Sequence, residues 1–257
     1  MIANLHTHTY RCRHASGKER EYIETALQIG MKTLGFSDHT PYPFPETHYS
    51  GVRMFINEQE DYVNTLISLR EEYKDRIDIK IGYEVEYYPK HFKECLNLLN
   101  RYELDYIILG QHYLNNEYDG ECATAATDDA NRFDRMICQI IEGMDTGVFT
   151  YVAHPDNFYF VGDKKILESQ YRRLIEHAKK LSLPLELNFL GLRTGRHYPH
   201  EFFFKLCGEM NADICLGCDA HAPEHVNDAV SLATANEWIE KYKLHVVENP
   251  PLRKVIL

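Results

Sequence analysis

His6 and His8 stand two residues apart at the end of a short apolar run, Ile2-Ala3-Asn4-Leu5, that reads as a β-strand. Side chains at i and i+2 of a strand point to the same side. Two imidazoles therefore project together, as they do when a protein offers paired nitrogen ligands to a metal ion. One His-x-His pair is a weak signal, but the arrangement recurs. His14 follows the first pair, and Asp38-His39, Glu84 with Glu86, Gln111-His112, His154-Pro155-Asp156, Glu186 with Asn188 and Asp219-Ala220-His221 each lie at the end of a later strand-like run. Imidazoles and carboxylates gathered in such numbers would repel and desolvate one another unless cations bound among them. Their count exceeds the three protein ligands typical of one catalytic zinc, so two or three divalent ions are expected.

The elements that must position these residues alternate. Runs rich in Ile, Val, Leu, Tyr and Phe predict strands at Ile2–Leu5, Thr33–Ser37, Asp78–Tyr83, Tyr106–Gly110, Phe149–Ala153, Pro184–Leu187 and Ile214–Cys218. Helical spacing predicts helices near 19–30, 57–75, 90–101, 129–146, 164–181, 200–211 and 226–242; Tyr171, Leu174, Ile175 and Ala178 mark one apolar face. Strand and helix in alternation give a parallel sheet with right-handed crossovers. An open sheet concentrates functional residues at one switch point, whereas a barrel draws them from the C-terminal ends of many strands, and the second pattern is the one seen. A closed barrel brings the first and last strand ends together, so His6 and His8 can share a site with Asp219.

The 257 residues suit a single barrel domain spanning 1–257, with no linker, repeat or low-complexity tract. A net charge of −11, from 28 Lys and Arg against 39 Asp and Glu, argues against a broad nucleic-acid surface but permits a small anionic substrate beside bound cations. There is no basic segment leading into a long apolar run, and no stretch of about 18 apolar residues to span a bilayer. Seven cysteines without framework spacing suit a reducing compartment, so a cytoplasmic location is expected.

The stretches His6-Thr7-His8, Cys12-Arg13-His14-Ala15, Ser37-Asp38-His39, Gly82-Tyr83-Glu84, Gly110-Gln111-His112, Ala153-His154-Pro155 and Gly217-Cys218-Asp219-Ala220-His221 resemble, in order and spacing, the PHP (polymerase and histidinol phosphatase) superfamily. The resemblance runs from residue 6 to residue 221. It implies a distorted (β/α)7 TIM-like barrel with up to three divalent metals, Zn, Mn, Fe or Co, at the C-terminal mouth. Carried over by position, His6, His8, Glu84 and Asp219 hold a first ion; Glu84 bridges to a second, held also by His112 and His154; His14, His39 and His221 hold a third. Glu84 directly follows the Gly-Tyr of its strand and is preferred to Glu86, and Asp38 orients a ligand. The segment Leu185–Arg193 followed by Tyr198-Pro199-His200 resembles the monofunctional histidinol-phosphate phosphatases, which implies a phosphate grip by Arg193 with Asn188 and a place in histidine biosynthesis. The implied reaction is attack by a metal-bridging hydroxide on L-histidinol phosphate, with Arg193 stabilising charge and Asp219 or His221 assisting the leaving alkoxide.

One departure stands out. Such phosphatases often carry a second Arg soon after the motif at His154, where Asp156–Val161 has none; Arg11, Arg13 or Arg196 could supply the charge, or the ester is another small sugar or nucleotide phosphate. Other chemistries fit poorly. There is no Asp-x-Asp nucleophile, Gly-x-Ser-x-Gly elbow or phosphate loop. Cys95 and Arg101 have thiol-phosphatase spacing but sit in a glycine-free amphipathic helix, and Cys215 and Cys218 read as buried strand residues. A metal-binding barrel without turnover is the competing reading; it is weakened because every implied ligand position is filled.

Overall fold

The computed structural model of the protein describes residues 1–45 and 47–255. β1 (Ala3–Asn4), β2 (Thr33–Phe36), β3 (Asp78–Val85) and β4 (Tyr106–Leu109) form a parallel sheet in sequence order. A hairpin of β5 (Tyr113–Leu114) and β6 (Glu121–Cys122) follows β4, and β7 (Leu185–Asn188), β8 (Asp213–Gly217) and β9 (His245–Val246) make a second parallel sheet. The expected strand at Phe149–Ala153 joins the two sheets without forming a ladder of its own: Val152 bridges to Leu109 on one side and Leu185 on the other. The crossovers are α1 (Glu19–Gln28), α2 (Gln59–Tyr73), α3 (Phe92–Leu99), α4 (Ala130–Asp145), α5 (Lys164–Lys180), α6 (Phe189–Thr194), α7 (Glu201–Glu209) and α8 (Ala229–Tyr242). Asp129 and Asp163 cap α4 and α5 by accepting from backbone N–H groups of the first turn.

Period-two alternation sorts the strand residues. Ile107 and Leu109 of β4, and Leu185 and Leu187 of β7, face outward into the main core between sheet and helices. Tyr106 and Ile108 face inward, where they join Leu5, Tyr151, Ala153 and Cys215 in a small inner cluster that Leu252 of the C-terminal segment packs against. That cluster is the apolar floor on which the polar strand ends rest.

The curled sheet departs from the expected closed ring. At the mouth its ends touch through one parallel bridge, Thr7 with Ala220. There the His8 N–H donates to the Ala220 carbonyl at 2.9 Å, the Ala220 N–H to the His6 carbonyl at 3.3 Å, and the Cys218 N–H to Asn4 Oδ1 at 2.9 Å. Lower down, β9 pairs with the first residues of β8, and β1 is too short to extend the ladder. α6, the hairpin and β9 were not expected from sequence, because two-residue strands and a six-residue helix containing Gly191 are too short to show a period.

Candidate metal centre

Glu84 sits at the middle of the strand mouth. Its Oε2 lies 3.4 Å from His6 Nε2, 3.3 Å from His8 Nε2 and 3.0 Å from His39 Nδ1. Its Oε1 lies 2.8 Å from His154 Nε2 and 3.6 Å from His112 Nε2. Across the seam, Asp219 Oδ1 is 3.3 Å from both His8 Nε2 and His221 Nδ1 and 3.6 Å from His6 Nε2. His14 Nε2 meets His221 Nε2 at 2.9 Å, with His39 close enough to complete a third group. All nine residues expected to be ligands are thus brought to one place. Close approach of backbone makes room for the carboxylates: a Cβ on Gly110 would overlap Glu84, and one on Gly217 would overlap Glu186. His154 and Asp219 turn out of their strands with φ of 29° and 43°, a backbone region that is strained for such residues and frequent at functional sites.

A second layer orients the first. Glu186, assigned no role from sequence, lies 2.7 Å from His6 Nδ1 through Oε1, while its Oε2 accepts from the His154 N–H at 2.9 Å. Its inward alternation with Asn188 on β7 was the available signal. Glu86 Oε1 lies 3.4 Å from His112 Nδ1 and 2.8 Å from Arg53 Nη2, so this runner-up to Glu84 supports a histidine instead of sitting at the centre. Asp38 accepts from the backbone and hydroxyl of Thr9 at 2.9 and 2.7 Å and stands 3.9 Å from His8 Nδ1.

The electrostatics call for cations. Burial opposes charge on Glu84, yet His39, His112 and His6 outweigh it and hold the carboxyl well below its usual range. Burial likewise opposes charge on Asp219 and is outweighed by His6, His221 and His8. Burial disfavours a charged His6, but Glu186, Asp219 and Glu84 lift it to about 10. Burial, with His221 and His8 nearby, pushes His14 down to about 4, and burial also pushes His39 and His221 down. Protons on His6 and the similarly raised His8 offset the carboxylates, and a divalent ion competes for the same lone pairs. His6 Nε2, His8 Nε2, His39 Nδ1, Glu84 Oε2 and Asp219 Oδ1 are buried with no hydrogen-bond partner, which fits a metal-binding donor set.

Residues 4–189 match the PHP domain. The chain belongs to the PHP domain family. Among curated relatives, a "Probable histidinol-phosphatase" of Deinococcus radiodurans is 26% identical over 88% of this chain and 88% of its own. A histidinol-phosphatase of Lactococcus lactis is 25% identical over 94% and 91%. A crystal structure of the Lactococcus lactis histidinol phosphate phosphatase, complexed with zinc, L-histidinol and phosphate, aligns with a TM-score of 0.74 at 18% identity over 96% of this chain and 95% of that one.

Above the histidine and carboxylate cluster of this PHP domain lies a cavity of about 360 Å³, bordered by Val52, Arg53, Tyr113, Leu190, Arg196 and Tyr198 as well as by His14, His39, His112 and His221. Arg193 is not on its wall. Arg193 Nη1 donates to Asp228 Oδ2 at 2.8 Å and Nη2 to the carbonyls of Cys218 and Asp219 at 3.3 and 3.1 Å, so this guanidinium braces the Asp219 turn. Asn188 also points to that turn: Nδ2 donates to Asp219 Oδ2 at 3.1 Å, and Oδ1 accepts from the Gly191 N–H as the cap of α6. Of the three arginines weighed as alternatives, Arg11 is bound to Glu19 and Asp61 and Arg13 to Glu58, whereas Arg196 reaches the cavity.

Proposed function

We propose that this chain is a metal-dependent phosphomonoesterase and that it hydrolyses L-histidinol phosphate to L-histidinol and phosphate. The observation that carries the reading is the convergence of unpartnered, buried lone pairs from His6, His8, His39, Glu84 and Asp219 beneath an open cavity with room for a small ester. Two to three divalent ions would be shared as His6–His8–Glu84–Asp219, Glu84–His112–His154 and His14–His39–His221. Such ions would supply an ionised water near neutral pH and withdraw charge from phosphoryl oxygens. Arg196 takes the phosphate contact, since its guanidinium lines the cavity and its Nη1 donates to the Tyr198 hydroxyl at 2.8 Å. Arg193 and Asn188 hold the Asp219 turn in place. Asp219 or His221, both of which line the cavity, would assist the leaving alkoxide, which takes its proton from water. Relatives spanning about nine-tenths of this chain and bearing the name histidinol-phosphatase support the choice of ester.

One observation favours a second reading, a sugar or nucleotide phosphate as substrate. Asp156–Val161 contains no arginine, and Arg53 is already paired with Glu86 and Glu117. Protein loaded separately with Zn, Mn, Fe or Co and assayed on L-histidinol phosphate beside a panel of sugar and nucleotide phosphates tests both. A higher kcat/KM on histidinol phosphate is expected. Full metal occupancy with no phosphate released from any ester would defeat the enzyme reading, and His8→Ala is expected to abolish release.

A further inference from the structure

The loop Gly195–His200 carries Arg196 and Tyr198 to the cavity, and it is fastened to the segment that begins at His154. The Asp156 carboxylate accepts from the His200 N–H through Oδ2. His197 Nε2 donates to the Asn157 carbonyl at 2.7 Å, and the His197 ring stacks on Tyr159 with centroids 4.2 Å apart. The same segment reaches the metal centre, where Asn157 Nδ2 lies 3.1 Å from His154 Nδ1 and donates to the Gln111 carbonyl at 3.0 Å. Loop and ligand therefore share one anchor.

Asp156 is the unusual member of that anchor. It is 1% exposed, and its Oδ1 has no partner. Among the described residues it has no ion-pair partner; Tyr171, Cys207 and Glu186 are titratable groups that sense it or are sensed by it. An apolar residue would fill such a site at lower cost, and Asp156 does not border the cavity. Among the described residues, its side-chain hydrogen bond to another element is the one to the loop.

We propose that Asp156 is a positioning residue, whose bond to His200 holds the Gly195–His200 loop so that Arg196 and Tyr198 stand in register with the ligands around Glu84. This rests on the phosphoesterase reading only in making Arg196 the group that meets phosphate.

The test compares full-length, metal-loaded Asp156→Ala and Asp156→Asn with the parent protein. Asp156→Ala is expected to raise KM for the best ester about tenfold, as loss of one buried hydrogen bond would, with a smaller change in kcat. Metal stoichiometry should be unchanged, and amide exchange across residues 195–200 should quicken. Asparagine keeps an acceptor for His200 and should restore both readouts. The proposal is overturned if Asp156→Ala leaves loop exchange and KM unchanged, or if Asp156→Asn is as impaired as Asp156→Ala. Should the alanine variant not fold, His197→Ala cuts the neighbouring tie from a half-buried position, and unchanged loop exchange there overturns the shared anchor. If the parent protein turns over no ester, the phosphoesterase reading fails, while the exchange comparison still decides the loop tie.

Discussion

Replacing Glu186 by glutamine changes almost no volume and removes one charge, and its effect can be worked out from three hydrogen bonds. Glu186 Oε1 lies 2.7 Å from His6 Nδ1, and Oε2 accepts from the His154 N–H at 2.9 Å and from Asn188 Nδ2 at 2.8 Å. An amide has only one oxygen for these three donors. If that oxygen serves His154 and Asn188, the amide –NH2 faces His6 Nδ1, which must then accept. The ring proton moves to Nε2, the nitrogen 3.4 Å from Glu84 Oε2 and 3.6 Å from Asp219 Oδ1, and blocks its lone pair. The flipped amide leaves two buried donors facing a third, at about 1–3 kcal/mol for each unsatisfied group, so the first arrangement is lower in energy. Changing the outer partner of a ligating histidine typically weakens metal binding about 10–100-fold, or about 1.4–2.7 kcal/mol. Zinc titration against a chromophoric chelator, with elemental analysis of the loaded protein, should show one ion weakened by that factor and the others little changed. A change below about threefold at full stoichiometry would refute the claim that Glu186 sets the His6 tautomer.

Arg53→Met leaves the buried Glu86 and the half-buried Glu117 without their shared cation, which should cost about 3–5 kcal/mol and lower Tm by about 6–20 °C by calorimetry. Leu252→Ala removes half-buried contact with the inner floor and should cost about 1–2 kcal/mol, lowering Tm by about 2–8 °C, with turnover at 25 °C retained. Burial lifts the Asp156 carboxyl from 3.8 to about 7. The folded state therefore binds more protons than the unfolded one across that window, and this contribution to stability is lost as pH rises through about 7. Asp156→Asn should gain stability relative to the parent protein from pH 4 to pH 8 in chemical denaturation; a constant difference would contradict the burial effect.

The strand ends were legible because ligands on parallel strands must sit at one end of each, and apolar runs mark where each strand stops. Glu84 could be preferred to Glu86 from its place after Gly82-Tyr83, and the two carboxylates do part company, one to the centre and one to Arg53. What sequence could not supply was partnership. Nothing local to Arg193 indicates that Asp228, on the far side of β8, will take its guanidinium, or that Arg196 will be the one left to reach the cavity. Glu186 escaped a role for the same reason: its partner His6 lies 180 residues away in the sequence. The seam was misjudged because barrel closure depends on which strand claims the edge of β8, and β9 is only two residues long.

The seam also orders events in time. His6 and His8 leave the ribosome long before Asp219 and His221, and before the Ala220 backbone that bridges to Thr7. A nascent chain can form most of its sheet before then, yet it cannot bring His6 and His8 together with Asp219 until the Thr7–Ala220 bridge forms. Ions that bind the finished mouth but not the unfinished chain would stabilise it by about 2.7 kcal/mol at a hundred times Kd. The metal would thus act as a late fastener between stretches far apart in the sequence, and a chain cut short before Asp219 would lack both the clasp and what it closes on.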